Sequence, residues 1–265
     1  MFLKKFMFLT ILNLHSLALA SGDDNLKIDE IEIPLFAGEI TQNSVNRFIE
    51  KYDSKDIRQI RVFSQGGNML AGLRFATWVR KKGLDVRVKM LCMSSCANYV
   101  FMAGANKYIE KGGVVIWHGS IKQKNVQDLV KKYDQLEEKR ASEITLANDE
   151  VQFLEQNRLK VEDAKEVSVQ QDALYLDLGV DEYITRLGQV PKRYKVDGWT
   201  ATVDLMNRMG IMNVFAELDY GTENYMKSNP IARIAAKGEP IVFGMSENGK
   251  IYPLSGDQRI FDEDD

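Results

Sequence analysis

The chain has 265 residues, of which 45% are hydrophobic and 28% are charged, a balance typical of a folded globular protein and not of a disordered one. Its formal net charge of −3 makes nucleic acid an unfavourable partner. Only two cysteines and two histidines are present, which leaves too few ligands for a transition-metal site, so we expect no metal and no other cofactor.

The first twenty residues differ in composition from the rest of the chain. Lys4 and Lys5 precede an apolar run over 6–19, and the small-residue pattern Ala-Leu-Ala closes it at Ala20. This pattern predicts a secretory signal peptide over residues 1–20. The run is too short to cross a bilayer and no second one follows, so we expect a periplasmic or secreted protein with no integral membrane segment after signal removal.

Apolar and polar residues then alternate in short segments that are separated by helical patterns. Strands are predicted over 31–40 (an edge strand), 57–64, 84–90 and 114–117, and helices over 41–51 (capped by Thr41), 69–82 (ended by Gly83) and 97–103. This order predicts an α/β fold with a mostly parallel sheet covered by helices. The strand ends near Ser64, Ser95 and His118 are expected to gather at one edge, where such folds bind ligands.

The second half of the sequence gives weaker signals. Residues 125–159 are highly charged, lack proline and glycine, and predict one or two helices with a solvated face. Further helices are predicted over 172–187 and 200–209, a loop or short strand over 191–199, and a hairpin over 240–260.

The segment Leu91-Cys92-Met93-Ser94-Ser95-Cys96 places two serines where a strand breaks into a helix. Such a turn exposes a hydroxyl and directs the first N–H groups of the helix at any oxyanion that forms there. A serine that merely caps the helix is the alternative. After signal removal His118 is the only imidazole left, and it ends an apolar strand, where it can act as the general base that a serine hydroxyl needs.

The two cysteines flank the serines on this turn. Export would place Cys92 and Cys96 in an oxidising compartment with no other cysteine to choose, which predicts a disulfide between them; two buried free thiols are the alternative. The paired glycines after Ser64 add backbone N–H groups that can approach a ligand closely.

Three stretches in this order resemble the proteolytic subunit of the Clp protease and its crotonase-like superfamily. Residues 63–72 are similar to the family's Asn-Ser-Pro-Gly-Gly-x-x-x-Ala-Gly run, 94–104 to Ala-Ser-Met-Gly-Ala with Leu-Leu-Ala-Ala-Gly, and 114–119 to Val-Met-Ile-His-Gln-Pro. The resemblance implies a repeated ββα core built from residues 21–120, a long helical insertion over 121–195, and completion of the core over 196–265 with the C-terminal hairpin.

The resemblance also implies site residues. It assigns Ser95 as nucleophile, preferred over Ser94 because of its spacing from Gly104, His118 as base, and the N–H groups of Gly67 and Cys96 as the oxyanion hole. The third triad member is Asp197, which precedes Gly198-Trp199 as in the family; Asp163 and Asp172 are the runners-up. The related signal peptide peptidases use a Ser-Lys pair, for which Lys107 and Lys111 are the candidates here.

The expected function is an exported, ATP-independent serine peptidase-like hydrolase that acts on peptide or protein substrates through Ser-His-Asp chemistry. The sequence contains no phosphate-binding loop of the ATPase type. The alternative is an inactive crotonase-like scaffold that binds a peptide or protein partner, because Leu91 and Ala97 replace glycines of the family. Assembly into homo-oligomers is compatible with the resemblance, and the sequence leaves the substrate and the subunit number open.

Overall fold

The computed structural model describes residues 33–189, 198–238 and 241–254. The predicted signal peptide therefore lies outside the described residues. The strands are β1 (Leu35–Ala37), β2 (Gln59–Ser64), β3 (Asp85–Met93), β4 (Lys107–Ile109), β5 (Val114–Ile116), β6 (Trp199–Ala201), β7 (Val214–Phe215), β8 (Ile241–Met245) and β9 (Ile251–Pro253). The α-helices are α1 (Gln42–Tyr52), α2 (Met69–Lys82), α3 (Lys124–Ala141), α4 (Asn148–Leu178), α5 (Val203–Arg208), α6 (Glu223–Ser228) and α7 (Pro230–Ala235).

The main sheet is parallel throughout, in the order β1-β2-β3-β4-β7, and β1 forms an edge as predicted. The long strand β3 pairs with β4 through its first half and with β5 through its second half. Alternating residues such as Ile60 and Val62 on β2, and Val86 and Val88 on β3, are fully buried. The predicted α/β class with a mostly parallel sheet covered by helices is thus confirmed.

Helices α1 and α2 cover one face of the sheet through an aromatic cluster of Phe36, Phe48, Phe75 and Trp78. The predicted bounds of α2 are confirmed. The Asn68 side chain accepts a hydrogen bond from the Ala71 N–H at its start, and Gly83 ends it with φ of 63°. The predicted Thr41 cap of α1 is confirmed as well.

The charged region forms a hairpin of α3 and α4. The predicted helix end at residue 159 and the separate helix over 172–187 are wrong, because α4 continues without interruption to Leu178 and only Gly179, with φ of 66°, stops it. Between these points the chain has no proline or glycine to break the helix. Two short 3₁₀ turns, Glu182–Thr185 and Leu187–Gln189, follow.

A second, smaller sheet combines β6, β8 and β9. Strands β6 and β8 are parallel, and β8 and β9 form an antiparallel hairpin, which confirms the predicted hairpin over the described residues 241–254. Helix α5 begins at Val203 and not at residue 200, because residues 199–201 pair with β8. Within the described ranges, no helix is long and apolar enough to cross a membrane.

The sequence predictions missed two strands and two helices. Strands β4 and β7 have three and two residues, and α6 and α7 have six each. Segments this short carry too few residues to display a periodicity of 2 or 3.6, so the pattern of the sequence alone does not mark them.

Candidate functional site

Three turns at the carboxyl ends of β2, β3 and β5 meet around a cleft of about 590 Å³. The predicted convergence of these strand ends is confirmed. The short helix α7 forms the opposite wall. The cleft is lined by Glu39, Phe63, Gln65, Gly66, Gly67, Leu91, Met93, Ser94, His118, Ile231, Ile234, Ala235 and Lys237.

Ser94 occupies the turn between β3 and the helix, and its backbone is left-handed with φ of 58°. This conformation costs an L-residue about 1–2 kcal/mol, and non-glycine residues that adopt it cluster at functional sites. The Ser94 N–H donates to the carbonyl of Ile116 on β5 (3.1 Å), which fixes the turn against the neighbouring strand. The half-buried Ser94 lines the cleft, and within the described ranges its hydroxyl has no hydrogen-bond partner.

Ser95 has a different environment. It is 1% exposed, and its Oγ donates a hydrogen bond of 2.7 Å to the carbonyl oxygen of Gly67. Its Cβ also faces Gly72 of α2 so closely that a Cβ there would lie only 3.0 Å away. Ser95 therefore joins the serine turn that follows β3 to the glycine turn that follows β2, and it does not line the cleft. Of the two serines that the sequence left open, Ser94 is the one that a ligand can reach.

A disulfide joins Cys92, on β3, to Cys96, at the start of the helix, with a Cα–Cα distance of 5.2 Å. The predicted pairing is confirmed. Ser94 is the middle residue of the five-residue loop that this bond closes. The covalent bridge thus restricts the turn at the residue that has the unfavourable φ.

The glycine turn abuts Ser94 on the other side. A Cβ on Gly66 would lie 2.6 Å from the Ser94 Cβ, and one on Gly67 would lie 2.3 Å from the carbonyl oxygen of Ile40. Both residues have positive φ, 90° and 145°. The Gly66 carbonyl and the Asn68 N–H both bond to Ile40, so the intervening Gly67 N–H points away from Ile40.

A helix begins directly after Ser94 and contains a π-helical turn over Cys96–Phe101. Its first i to i+4 bond runs from the Asn98 N–H to the Ser94 carbonyl (2.7 Å), so the N–H groups of residues 95–97 precede any helical hydrogen bond. Of the two predicted oxyanion donors, Gly67 lines the cleft and Cys96 is buried behind Ser94. Single π-helical turns within α-helices occur frequently at functional sites.

His118 follows β5, is exposed, and lines the same cleft as Ser94. Within the described residues no hydrogen bond joins Ser94 to His118. The His118 carbonyl accepts a bond from Gln189 Nε2 (3.0 Å), and the carbonyl of the next residue, Gly119, accepts one from Asn98 Nδ2 (2.9 Å). Sequence reasoning missed both amides, because only the tertiary fold brings them to this turn.

The candidate carboxylates differ in position. Asp197 lies outside the described residues. Trp199, two residues after Asp197 in the sequence, forms two backbone hydrogen bonds of 2.8 Å with Trp117. Trp117 is the residue directly before His118. Asp163 is exposed on α4, and Asp172 forms an ion pair with Lys122 (2.7 Å). Neither runner-up lines the cleft.

The lysines of the Ser-Lys alternative lie away from the cleft. Lys107 begins β4, beside the start of β3, whereas Ser94 follows the end of β3. Its Nζ donates to the carbonyls of Gly104 (2.7 Å) and Met212 (3.0 Å). Lys111 is exposed beyond β4 and does not line the cleft. Among the described residues, no three His, Cys, Asp or Glu side chains converge as a metal site would require.

Neither a protein-family model nor a curated protein sequence matches this chain.

Proposed function

We propose that the chain is a serine hydrolase that cleaves acyl bonds of peptides, with Ser94 as nucleophile and His118 as general base. One observation carries this proposal: a serine with left-handed backbone lines a cleft together with a histidine at a strand end and a pair of glycines with positive φ. A capping serine does not need a left-handed backbone, since N-caps take extended φ and ψ.

The proposed reaction is acyl transfer in two steps. The Ser94 oxygen attacks the substrate carbonyl while its proton passes to the His118 ring, and the developing oxyanion accepts bonds from the Gly67 N–H and the first N–H groups of the helix. His118 then protonates the leaving amine as the bond to it breaks. Water, deprotonated by His118, cleaves the acyl-enzyme and restores Ser94. That no hydrogen bond joins Ser94 to His118 among the described residues is compatible with this mechanism, since such bonds form or tighten when substrate binds.

His118 becomes positively charged during this cycle, and a carboxylate beside it is needed to orient the ring and to stabilise the imidazolium. We assign this role to Asp197, supported by the Trp117–Trp199 pairing, which carries the chain to the His118 turn within two residues of Asp197. The disulfide supports export to an oxidising compartment, as the signal-like N-terminus suggests. The crotonase-like resemblance and assembly into homo-oligomers remain part of the proposal.

Labelling with a fluorophosphonate probe tests the nucleophile, and the two adjacent serines provide a matched pair. Wild-type protein should be labelled once, at Ser94, and Ser94→Ala should abolish labelling. Ser95→Ala should retain it, with a stability loss of about 1 kcal/mol because the hydrogen bond from Ser95 Oγ to the Gly67 carbonyl is lost. His118→Ala should reduce the rate by at least about 100-fold, the contribution typical of a general base.

Two results would contradict the assignment in different ways. Label that persists in Ser94→Ala and disappears in Ser95→Ala would restore Ser95 as the nucleophile. Folded wild-type protein that takes no label and hydrolyses no peptide library would instead favour the scaffold, in which the cleft holds a peptide or protein partner without cleaving it.

A further inference from the structure

Two side-chain amides converge on the turn that carries His118, and the proposed mechanism does not use either of them. Asn98 is 2% exposed and donates through Nδ2 to the Gly119 carbonyl (2.9 Å). Gln189 donates through Nε2 to the His118 carbonyl (3.0 Å) and to Gln123 Oε1 (2.9 Å). Two consecutive carbonyls of one turn are thus fixed by side chains from different parts of the chain.

Asn98 links the two proposed catalytic residues directly. Its backbone N–H donates to the Ser94 carbonyl (2.7 Å) while its side chain donates to Gly119, the residue after His118. Its own carbonyl accepts a bond from the Tyr175 hydroxyl of α4 (2.9 Å). A single buried residue, Asn98, therefore fixes the positions of Ser94 and the His118 turn relative to each other. Asn98 is itself held by the hydrogen bond from α4.

Gln189 reaches the same turn from the 3₁₀ turn Leu187–Gln189, and Trp199 fixes that segment. The Trp199 Nε1–H donates to the Ile184 carbonyl (3.0 Å), and a Cβ on Gly188 would lie 2.2 Å from the Trp199 ring. Gly119 makes room for the amide, since a Cβ there, at φ of 132°, would lie 2.3 Å from Gln189 Nε2. The close packing on both sides leaves the Gln189 amide little freedom.

We propose that Asn98 and Gln189 are positioning residues that act together as an amide clamp, holding the His118 turn at the orientation that His118 needs to accept the Ser94 proton. This inference rests on the proposed function. It also gives the segment after α3 a role in the site, since Gln189 and Tyr175 both belong to it. Misplacement of a catalytic group by about 1 Å is enough to reduce a rate about 100-fold.

The test uses Gln189→Glu, which keeps the shape of the side chain and removes the donor, and Asn98→Ala. Gln127→Glu is the matched control, because Gln127 likewise donates through Nε2 to a backbone carbonyl, that of Ile121 (2.9 Å), whereas the described hydrogen bonds to the His118 and Gly119 carbonyls come from Gln189 and Asn98. Two readouts are taken on the folded full-length chain: the rate constant for probe labelling, and the proton resonances of the His118 ring, assigned with His118→Ala.

In both clamp variants we expect labelling to slow at least tenfold and the His118 ring resonances to move toward those of an unstructured histidine. Gln127→Glu should match wild type in each readout. Folded clamp variants with wild-type ring resonances would overturn the inference. If wild-type protein takes no label, the proposed function fails, and the ring resonances alone still decide whether the amides position His118.

Discussion

At the scale of single residues, Ser94 stores conformational strain that its surroundings compensate. A left-handed φ costs a serine about 1–2 kcal/mol, and it persists only where neighbouring bonds impose it. Here the Ile116 carbonyl, the Cys92–Cys96 bridge and the closely approaching Gly66 all act on the same turn. This backbone conformation directs the Ser94 side chain into the cleft, whereas the side chain of the unstrained Ser95 is directed into the protein interior.

Lys107 shows how burial changes the acidity of a residue. Burial lowers the pKa of its ammonium to about 8, Arg80 lowers it further, and Asp85 partly opposes the shift. In the unfolded chain the pKa of a lysine is about 10.4, so between pH 8 and 10 the unfolded chain binds the proton more tightly than the folded protein. Below pH 8 both states are protonated, and the folded state carries the full cost of the buried charge.

The free energy of unfolding should therefore rise by about 2 kcal/mol from pH 8 to pH 10. Urea denaturation at intervals across this range measures the effect. In Lys107→Met the rise should disappear, although the protein is less stable overall because the carbonyls of Gly104 and Met212 lose their donor. Parallel pH profiles for the two proteins would show that Lys107 is not desolvated as described. Above pH 10 the buried Tyr99 and Tyr220, whose pKa values burial raises, act in the opposite direction.

At the scale of elements, the strand β3 and the helix after it are joined by a tight disulfide-closed loop. So short a loop gains only about 2 kcal/mol from the restriction of the unfolded chain. The larger consequence is local, because without the bridge the turn can relax and Ser94 can leave its left-handed conformation.

Replacing both cysteines, Cys92→Ala with Cys96→Ala, should lower the free energy of unfolding by about 2 kcal/mol and slow probe labelling at Ser94 at least tenfold. Denaturation curves and labelling rates measure the two effects separately. Dithiothreitol should reproduce the loss of labelling in the wild type and should have no effect on the double variant, which serves as its control. Labelling that survives at the wild-type rate in the folded double variant would mean that the bridge contributes stability alone.

At the scale of the whole molecule, the site depends on segments that lie far apart in the sequence. Trp117 and Trp199 are both fully buried and pair through their backbones, which joins the end of β5 to the start of the second sheet. Helix α4 contacts the nucleophile helix through Tyr175 and through Gln171, whose Oε1 accepts from the Tyr99 hydroxyl (3.0 Å). Beyond these contacts, α3 and α4 form a small hydrophobic core of their own with Tyr133, Leu136, Leu154 and Val161.

The pairing of these segments predicts which carboxylate serves His118. Asp197→Asn should lower kcat for peptide hydrolysis by about 10⁴-fold, the loss known for an amide at the orienting position of a Ser-His-Asp triad. Asp172→Asn is the control: its partly exposed ion pair with Lys122 contributes at most about 1 kcal/mol, and the substitution should leave kcat unchanged. The reverse result, with Asp172→Asn inactive and Asp197→Asn active, would exclude Asp197 from the mechanism.

Local patterns in the sequence determined much of the first half of the fold. Alternation and caps located α1, α2 and the strands β2, β3 and β5, because each depends on neighbouring residues: Asn68 and Gly83 set both ends of α2 by local hydrogen bonding and left-handed backbone. The convergence of the Gly66-Gly67, Ser94-Ser95 and His118 turns followed from the rule that parallel strands end at the same edge. The cysteine pairing followed from there being only two.

Only the tertiary structure distinguished Ser94 from Ser95, because adjacent residues have the same local signal and differ in which neighbours they meet: Ile116 for one, Gly67 for the other. It also decided that α4 is one helix, since charged residues support a long helix once its inner face packs on α2 and α3. The amides of Asn98 and Gln189 had no marker at all in the sequence. Their role comes from two contacts, one between residues that are 21 positions apart in the sequence and one between residues that are 71 positions apart, and a local pattern does not encode such contacts.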